Sequence, residues 1–180
     1  MSAILFIVQT LLSLTVFVFL LRLLLQWSRA DFRNQIAQAV VRITNPVILP
    51  LRRILPPIGK IDTASVVAVI LIALLEEVIL FSLAGISLGY LGAYWPGALA
   101  LRVVLRIVGV TITTYLYGIF IYALLSMVAP GGYSPMQSIL ASLCEPVLRP
   151  FRRIIPPIGG LDLSPLWAGI ILVALLKLLP

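Results

Sequence analysis

Histidine is absent from this 180-residue chain, and cysteine occurs once, at Cys144. A single cysteine excludes an intramolecular disulfide. Without histidine the chain also lacks the usual Cys/His zinc sites, a Cys-His nucleophile and the common haem ligation pattern. Charged residues make up only 11% of the sequence. The sequence therefore predicts no cofactor and no metal, and it predicts that Cys144 is a small buried residue rather than a palmitoylation site.

What the chain has instead is apolar residues, which reach 62% against the roughly 45 to 50% of an ordinary soluble domain. Four apolar runs come close to the length of about 20 residues that a membrane-spanning helix needs. They cover about residues 3–26, 63–84, 99–127 and 163–179. We therefore predict an all-α integral membrane protein with four transmembrane helices.

Basic residues are concentrated in the first and third connections between these runs, and the second connection, residues 85–98, contains none. Positive charge is retained on the cytoplasmic side of a membrane. The basic connections are thus predicted to be cytoplasmic, with both termini and the 85–98 loop outside. Because most of the net charge of +7 lies in these connections, it indicates contact with anionic lipid headgroups and not with nucleic acid.

A basic, proline-rich phrase occurs twice, as LRRILPPIGKID from Leu51 and as FRRIIPPIGGLD from Phe151. Residues 46–62 and 146–162 align without gaps, and 11 of these 17 positions are identical. This internal duplication divides the chain into repeat 1, residues 1–84, and repeat 2, residues 99–180. Each repeat has two spans, so both copies must cross the membrane in the same direction.

Between its two spans, each repeat has a segment with helical periodicity, residues 35–62 and 134–162. In the first, Ile36, Ala39, Val40 and Ile43 share one face, which predicts an amphipathic helix lying in the membrane interface. Ser134 before Pro135 is a typical helix start, and Asn34 has the matching position in the first copy.

Prolines are expected to end these helices, since proline lacks the N–H that a helix interior requires. The prolines concerned are Pro46, Pro50, Pro146 and Pro150. After them, the repeated motif is predicted to reverse the chain and to cap the next span. The turn and cap residues are Pro56, Pro57, Gly59 and Asp62, and Pro156, Pro157, Gly159 and Asp162.

The duplicated motif, with its flanking apolar spans, resembles the signature of the YggT (YlmG-like) family of small bacterial and plastid membrane proteins. The family pattern has Asn-Pro where this chain has Asn34-Gln35. The resemblance implies a multi-pass protein of the bacterial inner membrane with a role in osmotic-stress tolerance and ion homeostasis. Other members are linked with cell division, or with cofactor assembly and nucleoid placement in plastids. It supplies no molecular activity and no catalytic residues.

Three groups of residues are candidates for function. The arginines of the motif, Arg52, Arg53, Arg152 and Arg153, are predicted to bind lipid headgroups and set topology, or to dock a protein partner, or to bind an anion. Asp62 and Asp162 are helix caps, or else a cation or proton site. The intramembrane charges Glu76, Glu77, Arg102 and Arg106 form a structural clamp, or else an ion path.

Arg22, near the inner end of the first span, is expected to reach the headgroups with its long side chain. The spans contain too few polar residues for a nucleophile, an oriented base and an oxyanion site, so the chain is not expected to be an enzyme. Two functions remain open: a scaffold or accessory factor whose basic rim binds lipid or partners, and a potassium or proton channel or transporter subunit. The second would require a homo-oligomer, because two such repeats leave little room for a pore.

Overall fold

The computed structural model describes residues 3–58, 62–83, 95–128, 134–155 and 162–179. Within these ranges the chain forms six α-helices. They are α1 (Ala3–Trp27), α2 (Gln35–Ile54), α3 (Thr63–Leu83), α4 (Trp95–Val128), α5 (Pro135–Ile154) and α6 (Ser164–Leu178). The fold class is therefore all-α, as the sequence predicts.

Three of these helices are long and apolar enough to cross a membrane: α1, α3 and α4 from Pro96 to Val128. Their bounds agree with the first three predicted spans to within a few residues. The fourth predicted span corresponds to α6, which is apolar but only 15 residues long. Helix α4 begins at Trp95, so the last four residues of the predicted outer loop, 95–98, are helical; the rest of that loop lies outside the described residues.

The prediction that prolines end the interfacial helices is wrong. Helix α2 continues through Pro46 and Pro50 to Ile54, and α5 continues through Pro146 and Pro150 to Ile154. All four prolines are exposed. A proline inside a helix removes one hydrogen bond and crowds the preceding turn. Spaced four residues apart, the two prolines of each helix share one face, so both defects fall on the exposed side.

The buried face of α2 also differs from the predicted apolar face. Val40 is buried together with Ala37, Thr44 and Ile48, whereas Ala39 and Ile43 are exposed. In α5 the buried residues are Ile139, Leu140, Leu143, Cys144 and Leu148, and α5 packs against α6. Thus most of the apolar face of α5 is covered by protein instead of lying on lipid.

The chain forms two compact units. Unit 1 comprises Met1–Leu23 and Thr44–Val110, and its small core contains Val16 of α1, Ala73 of α3 and Val103 of α4. Unit 2 comprises Leu24–Ile43 and Thr111–Pro180. There, α4 and α5 pack closely at Gly118, where an added Cβ would lie at an ordinary van der Waals distance of 3.5 Å from Sγ of Cys144.

Candidate functional site

The duplicated motif in unit 1 is held by an ion pair between Arg52 and Asp62. Arg52 donates from Nη2 to Oδ2 of Asp62 at 2.5 Å and from Nε to Oδ1 at 3.4 Å. Such a two-point contact between a guanidinium and a carboxylate fixes the orientation of both groups. The arginine at the end of α2 thereby fixes the residue immediately before α3.

Asp62 also caps α3, as the sequence predicts. Ser65 donates its hydroxyl hydrogen to Oδ2 at 2.6 Å, and its backbone N–H also bonds the Asp62 side chain. Burial by itself would raise the pKa of the Asp62 carboxyl, but the hydrogen bonds from Arg52 and Ser65 outweigh it and the pKa is lowered. Asp62 therefore remains a carboxylate at neutral pH.

The turn between α2 and α3 is described in part. Pro56 and Pro57 follow α2 and are exposed, and the Pro56 carbonyl accepts a hydrogen bond of 2.8 Å from the hydroxyl of Thr63. The predicted turn residues Gly59, Pro156, Pro157 and Gly159 lie outside the described residues. The part of the motif that can be seen thus links the end of α2 to the first residue of α3.

Unit 2 repeats the arginine–aspartate pair with additional partners. Arg152 donates from Nε to Oδ2 of Asp162 at 2.8 Å and from Nη1 to Oε2 of Glu145 at 2.6 Å. Tyr122 of α4 also forms a side-chain hydrogen bond with Arg152. Burial would lower the pKa of Arg152, but its bonds to Asp162 and Tyr122 and the nearby Glu145 raise it.

Asp162 differs slightly from Asp62 in its capping role. Oδ1 of Asp162 accepts from the backbone N–H of Ser164 at 2.9 Å, although Leu163 is the residue that occupies the cap position of α6. Burial opposes ionisation, but the bonds from Ser164 and Arg152 lower the pKa of the Asp162 carboxyl. The pair Arg152 and Asp162 therefore does in unit 2 what Arg52 and Asp62 do in unit 1.

The second arginine of each motif has a different environment. Arg53 and Arg153 are exposed, and neither forms a hydrogen bond or ion pair with the residues that the structure describes. Each is followed by an exposed isoleucine, Ile54 at 76% and Ile154 at 79%. The four predicted arginines are thus divided into two that hold the motif together and two that face the surroundings.

The expectation that Arg22 reaches the headgroups is wrong, because this residue is buried. Only 4% of the residue is exposed, and Nη1 donates to Oγ1 of Thr44 at 2.6 Å and to Oδ1 of Asn45 at 2.9 Å. Both acceptors lie on α2, about two helical turns before Arg52. Thr44 lies on the buried face of α2 with Val40 and Ile48, but this face becomes visible only in the structure.

A second polar cluster lies inside the spans of unit 1. Arg106 of α4 donates from Nη2 to Oε1 of Glu76 at 2.7 Å and from Nε to Oε2 at 3.0 Å. Ser13 of α1 accepts from Arg106 at 2.6 Å and donates to Glu76 at 2.7 Å. Glu76 is 0% exposed, so this carboxylate has exchanged water for one serine and one guanidinium. The sequence predicts that these two charges lie together, but it does not indicate Ser13 as their partner.

The other two intramembrane charges are more loosely paired. Nη1 of Arg102 lies 3.8 Å from Oε2 of Glu77, and its guanidinium carbon lies 5.0 Å above the ring of Phe81. A cation over an aromatic face is attracted by the ring quadrupole. Among the described residues no group of His, Cys, Asp and Glu could hold a metal ion.

The chain is similar in sequence to known proteins along most of its length. Residues 1–83 and 101–180 match the family described as CCB3/YggT. "Uncharacterized protein PA0392" of Pseudomonas aeruginosa is 41% identical over 93% of this chain and 83% of its own length. "Uncharacterized protein YggT" of Escherichia coli K12 is 35% identical over 92% of this chain and 83% of its own length.

A shorter similarity reaches a plastid protein. "YlmG homolog protein 2, chloroplastic" of Arabidopsis thaliana is 58% identical over 33 residues, which are 18% of this chain and 13% of that protein. No solved structure matches the chain at a significant level.

Proposed function

Because the chain belongs to the CCB3/YggT family, we propose that it is a non-enzymatic scaffold or accessory protein of the bacterial inner membrane whose exposed motif arginines bind anionic lipid headgroups. Four spans, α1, α3, α4 and α6, form two repeats of parallel topology. The basic connections face the cytoplasm and the termini face outward. The family resemblance extends this proposal to osmotic-stress tolerance and ion homeostasis.

One observation carries the lipid proposal: each interfacial helix ends in an exposed Arg-Ile pair, Arg53-Ile54 and Arg153-Ile154. An arginine can hold a lipid phosphate with its planar donor fork while a neighbouring apolar side chain enters the acyl region. Arg52 and Arg152 keep this end of each helix fixed through their aspartates. The exposed pair is thereby preorganised for the membrane interface.

The contribution of the exposed arginines to lipid binding can be measured as a selectivity for anionic over neutral lipid. The protein is reconstituted in liposomes with spin-labelled phosphatidylglycerol or phosphatidylcholine, and the motionally restricted lipid fraction is determined by electron paramagnetic resonance. Replacing Arg53→Gln and Arg153→Gln should reduce the preference for phosphatidylglycerol by up to about thirtyfold, since each basic residue near an anionic surface contributes about 1 kcal/mol.

A matched control removes the same amount of charge elsewhere. Arg29 and Arg33 are exposed in the connection between α1 and α2, so Arg29→Gln with Arg33→Gln tests for a net-charge effect alone. An equal loss in both double variants would contradict a site at the motif. Unchanged lipid preference, combined with loss of a crosslinked protein neighbour, would instead favour a partner-docking role.

The buried cluster of Ser13, Glu76 and Arg106 supports a second candidate, a potassium or proton channel or transporter subunit acting as an oligomer. A carboxylate inside the spans is the kind of group that ion pathways use. Its complete pairing with Arg106 and Ser13 favours a structural role. Potassium and proton flux into liposomes, with the Glu76→Gln, Glu77→Gln variant as control, decides between them: flux that depends on these carboxylates would identify a conductor.

A further inference from the structure

The duplication makes each repeat a reference for the other, because residue n of repeat 1 corresponds to residue n + 100 of repeat 2. Arg52 and Asp62 have identical counterparts, Arg152 and Asp162. Three of the differences among the described residues nearby change a charge. Arg22 corresponds to Tyr122, Asn45 to Glu145 and Leu49 to Arg149.

In repeat 2 the charges of this cluster balance. Arg152 uses its Nε side for Asp162 and its Nη1 for Glu145, whose other oxygen lies 3.8 Å from Nε of Arg149. Two arginines thus face two carboxylates. The Nη1 side of Arg152 is occupied by an anion that the chain itself supplies.

Repeat 1 keeps the same arginine but lacks the second anion. Arg52 gives its Nε and Nη2 to Asp62, while its Nη1 donates no hydrogen bond to any described residue. Asn45, the counterpart of Glu145, is neutral and accepts from Arg22 instead. The charges of Arg22, Arg52 and Asp62 interact with one another, and these three groups sum to a net charge of +1.

We propose that repeat 1 binds one phosphate group at the Nη1 side of Arg52, where repeat 2 has the Glu145 carboxylate. This deepens the proposed lipid binding and adds a defined site to it. The ligand is a phosphate diester of a lipid headgroup or a free phosphate, which share the same chemistry at this position. A single negative charge balances the cluster as Glu145 does in repeat 2.

The position favours a phosphate for two reasons. The Arg52 side chain is 44% exposed, so an anion can reach it, and the nearby charge of the buried Arg22 adds to the positive potential that this anion meets. A guanidinium also binds phosphate oxygens with the same planar geometry that it uses for carboxylates. Arg22 is a positioning residue in this site: it acts through its charge and through Asn45.

Exchanging the residues that distinguish the repeats tests the proposal. Native mass spectrometry of the delipidated full-length protein is used to titrate phosphatidylglycerol, with phosphatidylcholine of the same chain length as the neutral reference. Inorganic phosphate is titrated separately, by phosphorus-31 line broadening. The wild-type protein should bind one tight equivalent, meaning one tightly bound molecule per protein, of either phosphatidylglycerol or inorganic phosphate.

Asn45→Glu supplies the internal anion and should weaken this equivalent about tenfold or more. Gln35→Glu adds the same charge at an exposed position of α2 and should leave it unchanged. In the opposite direction, Glu145→Gln should create a second equivalent in repeat 2, and this gain tests the idea even if Asn45→Glu does not fold.

The two phosphate sources are separated by the titrations. Loss of the tight phosphatidylglycerol equivalent in Asn45→Glu identifies a lipid, and loss of line broadening identifies free phosphate. Equal binding by wild type and Asn45→Glu, or no second equivalent in Glu145→Gln, overturns the site. The lipid proposal is tested separately, at Arg53 and Arg153. Failure of the phosphate site therefore does not contradict the lipid proposal, and failure of the lipid proposal does not contradict the phosphate site.

Discussion

Ser13 of α1 donates its hydroxyl hydrogen to Oε1 of Glu76 on α3, at 2.7 Å, while the same oxygen atom of Ser13 accepts from Arg106 on α4. One hydroxyl thus joins an acid and a base that come from different helices. This arrangement satisfies a buried carboxylate without water and ties α1, α3 and α4 together inside unit 1.

Neutralising one charge of this cluster should lower the thermal stability more than neutralising both. Glu76→Gln leaves Arg106 without its counter-ion, and an unpaired charge near the centre of a membrane costs about 2.5 to 3.5 kcal/mol on insertion scales. The double variant Glu76→Gln, Arg106→Gln should therefore recover part of the thermal stability lost in either single variant. Thermal unfolding in detergent and the amount accumulated in membranes measure this, and purely additive losses would show that the pair is not coupled.

The two neighbouring arginines of each motif should respond differently to the same substitution. Arg52→Gln leaves the buried carboxylate of Asp62 without its ion-pair partner and should lower the unfolding temperature by several degrees. Arg53→Gln removes an exposed side chain and should change it little. The two variants have identical composition, so equal unfolding temperatures would contradict the division of roles.

Stability should fall in acid partly because of Asp62. Its folded pKa is lowered, so the unfolded chain binds this proton more readily than the folded one. The carboxylate therefore contributes stability at neutral pH that disappears from about pH 4 downwards, as the pH falls through the folded pKa. Unfolding temperatures of wild type and Asp62→Asn, measured from pH 7 to pH 3, should converge in acid; parallel curves would argue against this linkage.

The prolines of α2 should be dispensable for its stability. Pro46→Ala with Pro50→Ala restores two backbone N–H donors to a helix that already continues through both positions. We expect an unchanged or higher unfolding temperature. Ile48→Ala, in the same helix but fully buried, should instead cost about 2 to 5 kcal/mol. A marked loss in the proline variant would mean that α2 needs the shape that these residues give it.

The thiol of Cys144 should be slow to react. Burial raises its pKa to about 12, so very little thiolate is present at pH 8. A membrane-permeable maleimide should label it far more slowly in the folded protein than in denaturant. Ser138→Cys in a Cys144→Ala background places a thiol on an exposed position of α5 and should label rapidly. Similar rates in both folded proteins would show that Cys144 is accessible.

Much of this structure follows from local sequence signals. Ser134 accepts from the N–H of Gln137 and Asn34 from that of Ile36, as the capping patterns predict. The three long spans follow from their apolar length alone. The course of α2 through Pro46 and Pro50 could not be predicted in the same way, because propensity counts the lost hydrogen bond and not the exposed face that tolerates it.

Contacts between distant segments were harder to foresee. The sequence separates Arg22 from Thr44 by more than twenty residues, and nothing in the apolar pattern shows that α2 turns its polar pair toward α1. Asp62 was predicted as a cap, which it is, but the motif does not reveal that Arg52 reaches the same carboxylate. Ser13 carries no charge and therefore gave no signal of its role beside Glu76.

Helix α6, as the fourth span of the proposed topology, has a consequence for the surrounding lipid. Its 15 residues rise about 22 Å, against a hydrocarbon core of about 30 Å. A span this short is accommodated by local thinning of the bilayer or by a flanking cation such as Lys177 reaching toward the headgroups. Lipids with shorter acyl chains should accordingly collect beside α6, so that the protein sorts its own lipid neighbours by length as well as by charge.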